Sequence, residues 1–137
     1  MTFDGGFFRR LATLGLVWAA AWPSGLVLAE PDGIEFFENH IRPLLVQNCY
    51  KCHSEEAGKA KGELLLDTRE GLRKGGDSGP AIVPGDPKAS LLIQAVSYDN
   101  ADLQMPPKTK LSKDPIDKLI QWIAMGAPDP RDGKTAN

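Results

Sequence analysis

Cysteine and histidine are scarce in these 137 residues, with two of each. A chain so poor in thiols cannot be stapled by a set of disulfides. Any metal or cofactor site must draw on Cys49, Cys52, His53, His40 or the three methionines. An excess of positive charge is also missing: 16 Lys and Arg stand against 18 Asp and Glu, for a net charge of −2 and a pI of about 5.7. That balance carries no basic signature, so no nucleic-acid partner is expected. There is no internal repeat and no low-complexity tract. Strand signals are weak, and Leu64-Leu65-Leu66 is read as one short extended piece. What is present is 42% apolar and 25% charged residues, the composition of one globular domain.

The first 29 residues differ from the rest. Arg9 and Arg10 precede an uncharged apolar run from Leu11 to Trp22. Pro23-Ser24-Gly25 interrupts it, and Val27-Leu28-Ala29 supplies small or modest residues at the −3 and −1 places. This is the order of a secretory signal, with cleavage expected after Ala29. The competing reading is an uncleaved anchor, because Leu11 to Ala29 approaches the ~20 apolar residues that span a bilayer. Cleavage would remove Arg9, Arg10 and Asp4 and shift the net charge from −2 to −3. The expected location is periplasmic or otherwise exported, with membrane contact only if the leader stays on.

The remainder reads as short helices joined by long loops. Asp32 caps a helix over 33–48, with Glu35 at the capping-box position and Ile34, Phe37, Ile41, Leu44 and Leu45 at helical spacing. Pro43 should kink or split it. Asp86 and Pro87 open a helix over 87–96, with Leu91, Leu92, Ala95 and Val96 on its inner face. Ser112 opens a helix over 113–125, with a stripe of Ile116, Leu119, Ile120 and Ile123 ended by Gly126 and Pro128. A shorter helix over 68–74 is capped by Asp67 and stopped by Gly75. Two long irregular stretches, 75–85 and 97–110, wrap or bind something, since structureless loops of that length are uncommon in a compact domain. The fold class is all-α, and its short stripes need an apolar partner such as a buried flat cofactor. Phe37 and Trp122 are natural contacts if the first and last helices cross.

Cys49-Tyr50-Lys51-Cys52-His53 reads C-x-x-C-H, the haem c attachment signature. Two thiols two residues apart reach the two vinyl groups on one side of a porphyrin, and the adjacent imidazole meets the iron. Thioether bonds let a small domain keep the cofactor without a large enclosing core. A lone C-x-x-C also occurs as a disulfide redox pair, but that expectation comes with a strand and a βαβ context, and here a helix precedes it. Half a zinc site is the other alternative; His40 is the one further ligand on offer.

Met105, in Leu103-Gln104-Met105-Pro106-Pro107-Lys108, is the candidate second iron ligand. Two prolines stiffen the backbone after it, and a thioether raises a haem's potential relative to a second imidazole. The bland alternative is a loop methionine filling a gap. Met125 is assigned to the core and His40 to structure. Gly79-Pro80 and Pro84-Gly85 are expected to bring backbone near a haem edge. Lys51, Lys108 and Lys110 either ring that edge or are ordinary solvated lysines.

Several stretches carry a wider resemblance. They are Phe36 to Leu45 ahead of the cysteines, Lys74 to Gly85, Ser90 to Ile93, Met105-Pro106-Pro107, and Trp122 to Pro128. Together they resemble the planctomycete-type cytochrome c domain over nearly all of 33–130, with 131–137 as a short tail. The resemblance implies a class I cytochrome c fold, one haem c at Cys49 and Cys52, and His53 and Met105 as axial ligands. In that family the domain usually opens a much larger exported protein, so a free-standing carrier and a piece of a longer chain both stay open.

The function expected from these readings is one-electron transfer to exported redox proteins through transient contacts, with no catalysis of its own. The rivals are an accessory or gas-sensing module of a larger exported protein, and a haem-free thiol or zinc protein.

Overall fold

The computed structural model describes residues 32–131. The expected leader, 1–29, and residues 132–137 lie outside the described residues. The elements are α1 (Gly33–Phe36), a π-helical segment (Phe37–Ile41), α2 (Arg42–Asn48), β1 (His53–Ser54), β2 (Lys59–Ala60), a 3-10 turn (Lys61–Glu63), α3 (Arg69–Lys74), α4 (Leu91–Ser97) and α5 (Lys113–Ala124). The described residues are thus mostly helical with one small two-stranded sheet. No helix among the described residues is long and apolar enough to cross a membrane.

The first helix starts where Asp32 accepts a hydrogen bond from the Ile34 amide at 3.1 Å. Its helical run continues to Asn48 despite Pro43. The chain widens into a π turn, in which the Arg42 amide bonds the Phe37 carbonyl, and Pro43 then takes the second position of α2, where no donor is needed. Glu38 and Arg42 pair across this turn at 2.5 and 2.7 Å. The Arg42 hydrogen bond holds the Glu38 carboxyl below its ordinary range.

α5 packs across the π segment and against α4. Trp122 and Phe37, both fully buried, meet with ring centroids 5.7 Å apart at 47°. Ile41, Leu45, Leu72, Leu119 and Ile123 complete the fully buried centre; burying each such side chain contributes ~1.5–3 kcal/mol. α5 closes in a Schellman arrangement. The Gly126 amide bonds Ile123 and the Ala127 amide bonds Trp122, each at 3.0 Å, with Gly126 at φ +91°.

Four local expectations need correction. Ile120 is exposed, because Trp122 takes the inward place beside Leu119 and Ile123. The helix expected from Pro87 begins at Leu91. Asp86 does accept from the Ala89 amide at 3.0 Å, but it caps only a turn. Ser90 then adopts extended backbone, since its buried hydroxyl accepts from the Val83 amide at 2.9 Å and donates to the Asp86 carbonyl at 2.8 Å. Leu91 is half-buried and lines one cavity together with Leu92, Ala95 and Val96, as expected, while Ile93 is buried away from it.

Thr68, not Asp67, caps α3, accepting from the Gly71 amide at 2.9 Å. Asp67 accepts from the Glu55 amide at 2.8 Å instead. Leu64-Leu65-Leu66 forms no strand. The sheet is β1 paired antiparallel with β2, His53 opposite Ala60 and Ser54 opposite Lys59. A ladder of two residues per strand is too short to show any alternation.

Candidate haem-attachment cleft

The two long loops and the hairpin enclose a cleft of about 400 Å³, within the ~300–1,000 Å³ of cofactor and ligand sites. Its floor is apolar: Leu66, Ala81, Leu92 and Val96 line it and are buried. Cys49, Cys52, His53 and Met105 line the same cleft. The four residues singled out in the sequence therefore converge on one cavity, although Met105 is 52 positions from His53 along the chain.

The cysteine loop is built from the end of α2. The amides of Cys49 and Tyr50 both bond the Leu45 carbonyl, at 2.8 and 3.1 Å, and those of Cys52 and His53 both bond the Cys49 carbonyl at 3.1 Å. The loop is thus a tight turn that presents both thiols to one cavity. Both are free thiols. Burial pushes the Cys49 thiol up to about 12, so it stands protonated at neutral pH.

His53 is 9% exposed. Its Nδ1 lies 3.3 Å from the Leu64 carbonyl oxygen. A carbonyl only accepts, so Nδ1 carries the proton in this contact and Nε2 is left as the lone-pair nitrogen. The Leu66 amide donates to the His53 carbonyl at 2.9 Å. The segment 64–66 thereby holds His53 by both backbone and ring.

Met105 sits on the opposite loop, 38% exposed at the lip of the cleft. Its amide donates to the Ala95 carbonyl at 3.1 Å. The hydroxyl of Tyr98, which closes α4 in the left-handed conformation at φ 59°, donates to the Pro106 carbonyl. Lys110 lies 5.8 Å from the centroid of the Tyr98 ring. These contacts restrain the methionine loop from both sides.

Other sequence-selected residues separate. Gly79 lines the cleft as expected, whereas Gly85 does not; its amide bonds the Ile123 carbonyl at 2.8 Å and secures the loop to α5. His40 is exposed with Phe36 at its ring edge, 4.9 Å between centroids, and Met125 packs against the core. Lys51, Lys108 and Lys110 are exposed. Lys61 lines the cleft and was not singled out by the sequence. Nor were the Leu64 carbonyl and Tyr98, because a backbone carbonyl leaves no trace in side-chain identity. Arg131, read as the first tail residue, is 4% exposed.

Why the 75–85 loop follows this path is visible at two glycines. A Cβ on Gly75, at φ +74°, would stand 1.8 Å from the Gly79 carbonyl oxygen, and one on Gly76 would stand 2.0 Å from that of Gly62. Only bare backbone lets the loop fold against the 3-10 turn and close this side of the cleft.

The donor set fits a c-type haem. Two thiols on one turn suit the vinyl groups, an imidazole nitrogen and a thioether sulfur suit the iron, and the floor is apolar. No curated protein and no solved structure matches the chain. Residues 49–109 match the family model described as Planctomycete cytochrome C. That stretch opens on Cys49 and takes in Cys52, His53 and Met105. Residues 49–109 are thus similar to planctomycete-type cytochrome c, a likeness that points to covalently held haem c and electron transfer.

Proposed function

We propose that the chain is an exported mono-haem cytochrome of the class I type, carrying one electron at a time with no catalysis of its own. Cys49 and Cys52 would hold the haem covalently, and His53 and Met105 would ligate its iron. When bound, the haem supplies the Fe(III)/Fe(II) couple. The observation that carries this reading is the convergence of two thiols, a proton-fixed imidazole and a restrained thioether on one apolar cleft.

The chain's own residues supply position and environment. The Leu64 carbonyl fixes the His53 tautomer and the ring's orientation, leaving Nε2 for the iron. The Ala95 and Pro106 contacts limit how far Met105 can swing. Leu66, Ala81, Leu92 and Val96 exclude water, which favours the less charged, reduced state. Export is supported by the leader pattern at 1–29 and by haem c chemistry. The partners of such a carrier are other exported redox proteins, met through small transient interfaces.

The test is expression with haem-attachment machinery, followed by intact mass and an alkaline pyridine spectrum. One added haem per chain is expected. A chain weighing only its amino acids would end this reading.

A further inference from the structure

The C-terminal strap, 127–131, lies beyond the matched stretch, yet it reaches the back of the cleft. Arg131 is the residue that does so. Its guanidinium pairs with Asp129, Nε to Oδ1 at 2.8 Å and Nη2 to Oδ2 at 2.5 Å, with both side chains 2% exposed. Its remaining nitrogen, Nη1, donates to the Tyr50 hydroxyl at 2.5 Å and to the Leu66 carbonyl at 2.8 Å. The Phe37 ring lies under it, 4.8 Å from ring centroid to guanidinium carbon.

Both Nη1 acceptors belong to the His53 side of the cleft. Tyr50 lies inside the cysteine turn. Leu66 lines the cleft, and its amide donates to the His53 carbonyl, while Leu64, two residues back, receives His53 Nδ1. The guanidinium thus joins the turn that carries the thiols to the segment that orients the imidazole. A planar fork can serve Asp129 with one edge and these two oxygens with another nitrogen; a lysine ammonium cannot span both.

We infer that Arg131 is a positioning residue for the cofactor site, setting the strength of the His53 Nδ1 contact to Leu64 through its hold on Leu66 and Tyr50. This rests on the haem reading above. Loosening segment 64–66 weakens the Nδ1 bond that orients the imidazole, and a less firmly held ligand would stabilise the ferric state less.

The test uses the haem-loaded protein and three variants: Arg131→Lys, Tyr50→Phe and Trp122→Phe. Arg131→Lys keeps the charge and loses the fork. Trp122→Phe breaks the 2.8 Å bond from Trp122 Nε1 to the Pro128 carbonyl, which ties down the same strap without touching the cleft. At a fixed solution potential, Arg131→Lys is expected to raise the ferrous-to-ferric ratio about threefold, or ~30 mV at 59 mV per tenfold for one electron. The His53 Nδ1 proton, followed by NMR, should exchange with deuterium on the order of tenfold faster. Tyr50→Phe should move both readouts in the same direction by less, and it stands in if Arg131→Lys does not accumulate. Trp122→Phe should lower the melting temperature and leave both readouts in place.

Unchanged ratio and exchange in both Arg131→Lys and Tyr50→Phe overturn the inference, as does an equal shift in Trp122→Phe. A wild-type chain without haem would instead overturn the haem reading, and the mass spectrum separates the two failures.

Discussion

The amide of Met105 donates to the carbonyl of Ala95 across 3.1 Å. That bond ties the second long loop to the last turn of α4, whose residues Leu92 and Val96 form part of the cleft floor. The candidate thioether ligand is therefore held by the same helix that lines the site. Met105→Ala removes the sulfur and leaves this backbone bond in place. The variant is expected to keep its covalent haem and to lose the thioether–Fe(III) charge-transfer band near the red end of the visible spectrum. It should also bind carbon monoxide rapidly when reduced, where the parent binds it slowly. Rapid binding by the parent would favour the gas-sensing alternative.

Tyr98 restrains the same loop from its hydroxyl to the Pro106 carbonyl. Tyr98→Phe leaves the ring under Lys110 and removes only the donor. A loss of ~1 kcal/mol in folding stability is expected, typical of a single hydrogen bond. Displacement of the methionine by added imidazole should become about fivefold easier, the same free energy expressed as a ratio. An imidazole titration of the oxidised protein reads this directly; an unchanged midpoint would mean that the Ala95 bond alone holds the loop.

Gly75 takes a left-handed backbone with another carbonyl in the place of a side chain. Gly75→Ala combines a strained φ with a clash that only movement of the Gly79 peptide can relieve. The expected cost is at least ~2 kcal/mol, measured by denaturant unfolding. Gly85→Ala has φ +85° but open space around its Cβ, and it should cost ~1 kcal/mol. Equal losses at the two glycines would contradict this account of the loop.

Burial holds the Cys49 thiol up near 12, against 9.0 for an ordinary cysteine. In the haem-free chain the folded state therefore keeps a proton that the unfolded state releases. The sign follows: the contribution to stability is fully present below pH 9.0 and is lost as pH rises from there through about 12. Replacing Cys49 with Ser should flatten part of that alkaline loss. Alkylation of Cys49 at pH 8 should be at least about tenfold slower in the folded chain than in urea, because the thiolate is the nucleophile.

The pair of Asp129 and Arg131 offers a direct test of burial. Asp129→Asn leaves a guanidinium 2% exposed without its counter-charge. Breaking a buried pair by removing one partner costs ~3–5 kcal/mol, and thermal unfolding should show it. A loss below ~1 kcal/mol would place the pair in the weak class of surface bridges.

Much of this protein was legible from residue order. Chemistry that depends on a side chain's identity at short range shows in a sequence: the C-x-x-C-H turn, the Asp32 cap, the Gly126 stop and the apolar spacing that brings Phe37 and Trp122 together. The elements that were misread had local signals that tertiary contacts overruled. Asp67 looked like a helix cap and instead receives the Glu55 amide; Ser90 broke the turn begun at Asp86 because its hydroxyl serves the loop before it. Ile120 kept the helical period yet faces outward, because Trp122 is larger and fills the inner face.

By itself the sequence determined the C-x-x-C-H turn, its candidate ligands and the helical class, since each rests on residue types a few positions apart. Only the tertiary structure decided that Met105 reaches the same cleft as His53, that the Leu64 carbonyl sets the imidazole's proton, and that Arg131 is buried behind it. These are relations between distant segments and backbone atoms. Residue identities do not encode them until packing of the apolar core brings the segments together and makes each buried polar group find a partner.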